Sequence, residues 1–132
     1  MAHGITTILL QRRFKAIRAG NQVLAAANIT VSPTYIPHLV RACLDLMIDD
    51  ANGVWHLANE GEISWYDWAK TSTMQCGLNV DLVVPEFESN APAFRPQYSV
   101  LTSKKFSLMP KLQKAMDQYF DAKNALQLSS VQ

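Results

Sequence analysis

Arg95 is the side chain best equipped for chemistry in this 132-residue chain. A guanidinium can grip two oxygens of one phosphate with parallel N–H donors, a geometry no other side chain offers. Arg95 stands near the end of a polar stretch, Glu86 to Pro96, that contains Pro92 and leads into a short strand candidate. A connection of that length between regular elements is a common place for function. Metal chemistry has much less support. His3, His38 and His56 are scattered, and Cys43 and Cys76 form no Cys-x-x-Cys pair, so no zinc-ligand spacing exists. Both cysteines fall on helix faces read as apolar and are expected to be buried structural thiols in a reducing compartment. No glycine-rich phosphate loop occurs anywhere, so nothing in the chain can cradle a dinucleotide.

Composition narrows the class. Apolar residues at 48% and charged residues at 17% describe a folded globular chain. A net charge of +1 leaves no electrostatic footprint for nucleic acid or an anionic membrane. The nearest basic cluster, Arg12, Arg13, Lys15 and Arg18, fits the solvated face of a helix. No apolar run reaches the ~18 residues that cross a bilayer, and the N-terminus does not read as a signal peptide. A cytoplasmic location is expected.

The elements that must position these residues follow from periodicity. Ile5, Ile8, Leu9, Phe14 and Ile17 predict a first helix over 5–19, stopped by Gly20. Val23 to Ala27 is a strand candidate, and Thr30 to Tyr35 is a second extended piece. Ile36, Leu39, Val40, Cys43, Leu44, Met47 and Ile48 form one apolar helical stripe, ended by Asp49, Asp50, Asn52 and Gly53. Val54 to Leu57 then reads as a compact strand, and Asn59 as a turn residue whose side chain braces its loop.

Ser64 with Asp67 forms a capping box, with Asp in place of Glu, ahead of a helix whose inner face is Trp65, Trp68, Ala69, Ser72 and Cys76. Val80 to Val84 predicts a strand closed by Pro85, and Tyr98 to Leu101 another. A last helix begins near Pro110 and lines up Leu112, Ala115, Met116, Tyr119 and Phe120. One domain is expected over 1–123, with a frayed tail over 124–132. Strands alternating with helices make the fold class α/β, with few short strands and about four helices. So few strands would leave much of the helical stripes uncovered. That shortfall points to another sheet that this chain does not supply.

Four stretches resemble one family. Val31-Ser32-Pro33-Thr34-Tyr35-Ile36-Pro37-His38-Leu39 is similar to a Ser-Pro-Thr-Tyr strand-to-helix passage. Gly53-Val54-Trp55-His56-Leu57-Ala58-Asn59-Glu60-Gly61 is similar to a Gly-aromatic-His-Leu-x-Asn turn. Ser64-Trp65-Tyr66-Asp67-Trp68-Ala69-Lys70 and Arg95-Pro96-Gln97-Tyr98-Ser99-Val100-Leu101 resemble a Ser-Trp helix start and an Arg-Pro-x-x-Ser-x-Leu segment. In this order they resemble the C-terminal portion of the dTDP-4-dehydrorhamnose reductase family, extended short-chain dehydrogenases/reductases.

The resemblance implies the substrate-binding part of such an enzyme, without the Rossmann half that holds NADPH. The complete enzyme would reduce the 4-keto group of a dTDP-linked 4-keto-6-deoxy sugar, and this chain alone would not. The partners implied are a sugar nucleotide and the missing half, earlier in the same gene or on a partner chain, with a homo-oligomer also possible. Arg95, Ser32, Thr34 and Asn28 are the substrate-binding residues implied. Two positions depart from the family: Asn28-Ile29 stands where Asp-Gln is usual, and His38 where the helix commonly starts with Asp. Without a carboxylate against the helix dipole, a weaker helix start is expected.

Tyr66-Asp67-Trp68-Ala69-Lys70 also spells Tyr-x-x-x-Lys, the reductases' catalytic pair, but at a place where the family has a structural helix. It is therefore read as a core and surface segment. Two other readings remain: a non-catalytic interaction module derived from the fold, and a fragment of a related epimerase or dehydratase.

Overall fold

The computed structural model describes residues 5–87, 96–103, 105 and 109–129. Its elements run α1 (Ile5–Arg18), β1 (Val23–Ala26), β2 (Thr30–Val31), α2 (Ile36–Ile48), β3 (Ile63–Ser64), α3 (Trp65–Gln75), β4 (Val83–Glu86), β5 (Tyr98–Ser99) and α4 (Leu112–Ser129). The chain gathers into two compact units, Met1–Val31 with Ile63–Ser99, and Ser32–Glu62 with Val100–Gln132. α4 continues to Ser129, past the point where the tail was expected to fray.

The first unit holds all the strands found among the described residues. β1 pairs in parallel with β4, Val23 opposite Val83 and Ala26 opposite Glu86. β2 lies between antiparallel β3 and parallel β5. Ile17, Val23, Ala25, Ala69 and Val83 form its core, with Ala16, Tyr66, Leu78 and Leu82 packed on the outside. Val80–Leu82 is a 3₁₀ turn, where the sequence predicted strand from residue 80. The Asn79 side chain accepts the Asp81 N–H and caps that turn, so the strand starts late and runs through Pro85. Pro85 is tolerated because this two-stranded sheet leaves its N–H side unpaired.

The helix ends follow their sequence signals. At Gly20 (φ +81°), Gly20 N–H bonds to Ile17 O and Asn21 N–H to Ala16 O, the paired bonds of a Schellman cap. Gly77 (φ +67°) closes α3 the same way, onto Met74 and Thr73. Ser64 caps the start of α3: its Oγ accepts the Asp67 N–H at 3.0 Å and its hydroxyl donates to Asp67 Oδ2 at 2.8 Å. The shorter Asp thus meets the hydroxyl, where the Glu of a capping box would reach the backbone N–H.

The second unit is α2, α4 and the segments that join them. Ala42, Met109, Leu112, Ala115, Met116 and Phe120 are buried. The expected strand over 54–57 is not formed: those residues join no strand pairing among the described residues. A strand exists only against a neighbour, and the apolar sequence supplies just one side of that pairing. The α2 stripe is also not core. Val40, Leu44, Met47 and Ile48 are 52%, 51%, 75% and 80% exposed, and Cys43 is exposed with them. Cys76 is only half-buried. The expectation of two buried thiols fails because periodicity identifies an apolar face without identifying what covers it.

Candidate functional site

In the second unit, the passage from β2 to α2 is tied down at both ends. At its start, Ser32 Oγ accepts the Leu101 N–H at 3.0 Å. That bond uses a lone pair and leaves the hydroxyl proton available to a ligand. Pro33 restricts the backbone next, and the exposed Thr34 donates from Oγ1 to Ser32 O at 3.4 Å. At its end, the Tyr35 N–H donates to Asn59 Oδ1 at 2.8 Å, while Tyr35 O accepts from the His38 and Leu39 N–H groups. Tyr35 is the N-cap of α2 without a side-chain cap bond, and Pro37 sits in the first turn, where its missing N–H costs nothing.

Asn59 is completely buried and serves more than a local turn. Besides accepting from Tyr35, it donates from Nδ2 to Pro110 O at 2.9 Å and lies 3.0 Å from His38 Nδ1. His38 Nε2 bonds to Gln118 Oε1 on α4. Its ring also meets the Tyr35 ring edge-on, with centroids 4.9 Å apart. His38, expected to weaken the helix start, is instead a buried connector within the first turn of α2. The Asn of the Gly-aromatic-His-Leu-x-Asn turn was legible as a brace. Its bond to His38, and the onward bond from His38 to Gln118 across 80 residues, were not, because neither lies within a local segment.

Nearby, Glu60 N–H donates to Pro110 O and Leu112 N–H to Glu60 O, so the end of the Asn59 turn is stitched to the start of α4. Gly61 (φ +131°) follows, and a Cβ there would stand 3.2 Å from Leu112 Cβ. The Lys105 ammonium sits 4.4 Å from the Trp55 ring centroid and 3.4 Å from Asn52 O. A cation over an aromatic face is worth about 0.5–1 kcal/mol at an exposed site, enough to fasten the Trp55 loop.

In the first unit, Asn28 follows β1, is half-buried and has hydrogen-bonding or ring partners. Ile29 is buried, and its carbonyl accepts the Trp65 N–H at 3.1 Å, so an apolar side chain suits that position. Arg95 lies outside the described residues. The Tyr-x-x-x-Lys pentad has a structural setting: Tyr66 packs on the core of this unit, and exposed Lys70 lies 5.9 Å from its ring centroid. Trp68 is buried and Trp65 half-buried, their rings 5.1 Å apart.

The described residues do not fit a dinucleotide. α3 follows β3 directly and α2 follows Pro33, Thr34 and Tyr35, so neither helix begins at a glycine turn. The described glycines with positive φ close helices or turns. Among the described residues no group of three or more His, Cys, Asp or Glu can hold a metal ion, and no helix is long and apolar enough to cross a membrane.

Comparison with known proteins agrees with this arrangement. A dTDP-4-dehydrorhamnose reductase of Mycobacterium tuberculosis is 37% identical over 82 residues, covering 60% of this chain and 27% of that protein. A spore coat polysaccharide biosynthesis protein of Bacillus subtilis is 34% identical over 74 residues, covering 54% of this chain and 25% of its own length. Among solved structures, a dTDP-4-dehydrorhamnose reductase from Clostridium acetobutylicum superposes with a TM-score of 0.78 at 23% identity, covering 87% of this chain and 43% of that one. The reductase from Bacillus anthracis, solved in complex with NADP, gives 0.77 at 23% identity, with 86% and 42% covered. Over the part they cover, these structures share this chain's fold, mixed α/β with four helices and few short strands. The chain spans 27% of the first curated relative and less than half of each solved one. Residues 9–124 match the RmlD substrate binding domain, and the chain belongs to that family.

Proposed function

We propose that this chain forms the sugar-nucleotide-binding portion of a dTDP-4-dehydrorhamnose reductase-like enzyme. The observation that carries the reading is the family match over residues 9–124, which includes all four motif stretches. In the complete enzyme a hydride passes from NADPH to C4 of the dTDP-linked 4-keto sugar, and a proton reaches the ketone oxygen. The products are the C4 alcohol and NADP⁺. This chain's own part is binding: Arg95 meets the diphosphate, Ser32 and Thr34 offer hydroxyls to the ligand, and Asn28 takes the position of the family's Asp. A coenzyme-binding portion, in the same polypeptide or on a partner chain, supplies the dinucleotide site. The setting is cytoplasmic, and a homo-oligomer is compatible with the reading.

The open α2 stripe supports a missing cover. Val40, Leu44, Met47 and Ile48 are all more than half exposed. The same surface favours a second reading, a non-catalytic module that holds a protein partner. Calorimetric titration with dTDP and dTDP-rhamnose separates the two. Micromolar binding that Arg95→Ala abolishes supports the substrate-binding reading. No heat with either nucleotide, from a chain that sediments as a stable oligomer, supports the module. Sustained NADPH oxidation by this chain alone would contradict the assignment of the coenzyme site elsewhere.

A further inference from the structure

We infer that Asn59, His38 and Gln118 form a positioning relay that holds the Ser32–Tyr35 passage in its ligand-receiving conformation. The inference rests on the proposal that this passage meets the sugar nucleotide. Its basis is the direction of each hydrogen bond. The Tyr35 N–H can bond only to an acceptor and Pro110 O only to a donor, so these two backbone groups fix which end of the Asn59 amide is oxygen. The remaining Nδ2 hydrogen therefore points at His38 Nδ1, which must accept it. His38 then carries its proton on Nε2 and donates it to Gln118 Oε1. One tautomer satisfies the whole chain of bonds, and it runs from completely buried Asn59 to exposed Gln118.

Everything in the relay converges on Tyr35. Its N–H is held by Asn59, and its ring meets the edges of His38 and of Tyr119, whose centroid is 6.4 Å away. The other end of the passage is held where Leu101 donates to Ser32. Between these anchors lie only Pro33, with its fixed φ, and exposed Thr34. The Ser32 and Thr34 hydroxyls are thus presented from a segment already ordered, so little conformational entropy remains to be lost on binding. A turn brace alone would need only the Asn59 bonds. The extension through a buried imidazole to a second helix is what makes this a relay.

The test is Gln118→Ala, which removes the acceptor from an exposed position where the fold has little to lose, with Gln118→Glu as the conservative rescue. Three readouts are taken on the full chain: long-range ¹⁵N spectra of His38, amide hydrogen exchange at Tyr35, and dTDP affinity. The expected result is an Nε2–H imidazole in the parent. In Gln118→Ala, Tyr35 exchange quickens and dTDP binding weakens, each by about fivefold, the factor one net hydrogen bond carries. Gln118→Glu, which keeps an oxygen acceptor, restores both. Unchanged Tyr35 exchange, or an Nδ1–H imidazole in the parent, overturns the relay. Altered exchange with unaltered dTDP affinity overturns its role in binding. If the parent chain binds no dTDP, the proposed function fails, while a Tyr35 response rescued by Gln118→Glu still supports the relay.

Discussion

Replacing Asn59 with Ala should be among the costliest single changes in this chain, and its size can be worked from the three groups it abandons. Among the described residues, the Tyr35 N–H and His38 Nδ1 have no other hydrogen-bond partner. Leaving a buried polar group unsatisfied costs about 1–3 kcal/mol. Pro110 O loses less, because it also accepts the Glu60 N–H at 3.2 Å. The first two together come to about 2–6 kcal/mol, a large part of the ~5–15 kcal/mol that holds a domain together. Asn59→Asp is the informative control. Its carboxylate still accepts from Tyr35 but faces Pro110 O with no donor, so its loss should approach that of Ala. Urea unfolding followed by tryptophan fluorescence measures both, with an unchanged slope showing that stability alone has moved. A loss under about 1 kcal/mol for Asn59→Ala would mean these bonds are not made in solution, and the account of the passage would go with them.

Three further expectations follow from single positions. Ser72 Oγ is completely buried and has no hydrogen-bond partner among the described residues, so Ser72→Ala should raise stability by up to about 1 kcal/mol; a lower melting temperature would contradict this. Gly61→Ala combines φ +131° with a 3.2 Å approach to Leu112 Cβ and should cost about 1–3 kcal/mol in the same urea assay. Gly20→Ala, at φ +81° with nothing within 4 Å, should lose only the backbone term of about 1–2 kcal/mol. Met47→Glu combined with Ile48→Lys should leave the chain's stability within about 0.5 kcal/mol per site, as at any exposed surface. A loss of ~2–5 kcal/mol, the scale of a core truncation, would show that the stripe is covered within this chain.

What was legible in the sequence was what local chemistry decides. Gly20 and Gly77 mark two helix ends because only a left-handed residue closes a Schellman cap cheaply, and Ser64 with Asp67 marks a helix start. The motif order likewise led to the right family. What failed were statements that needed a neighbour. Val54 to Leu57 has strand composition but no strand partner among the described residues. The Val80–Leu82 turn depends on the Asn79 side chain outcompeting sheet pairing. His38 looked like a poor substitute for Asp because its partner on α4 could not be seen. Of the candidate ligand residues, the structure gives Ser32 and Thr34 an ordered setting and Asn28 partners of its own, while Arg95 falls outside the described residues.

The geometry of α2 ties these threads together. At 100° per residue, His38 and Ala42 lie within one narrow sector, and both are buried. Val40, Leu44 and Met47 fall on the opposite side of the cylinder, with Ile48 beside them, and all are more than half exposed. A helix on the surface of a finished domain is apolar on one side and polar on the other. α2 is apolar on the side turned outward, while its inward side carries a histidine committed to a polar network. That inversion is hard to explain by economy within the chain, since facing the stripe inward would bury more apolar surface. It is explained if α2 is a middle layer, with Asn59 and Gln118 fixing its inner side and a second layer meant for its outer side. If the proposed coenzyme-binding portion supplies that layer, adding it should protect Val40, Leu44, Met47 and Ile48 from solvent labelling; continued labelling of all four would dispose of the layered account.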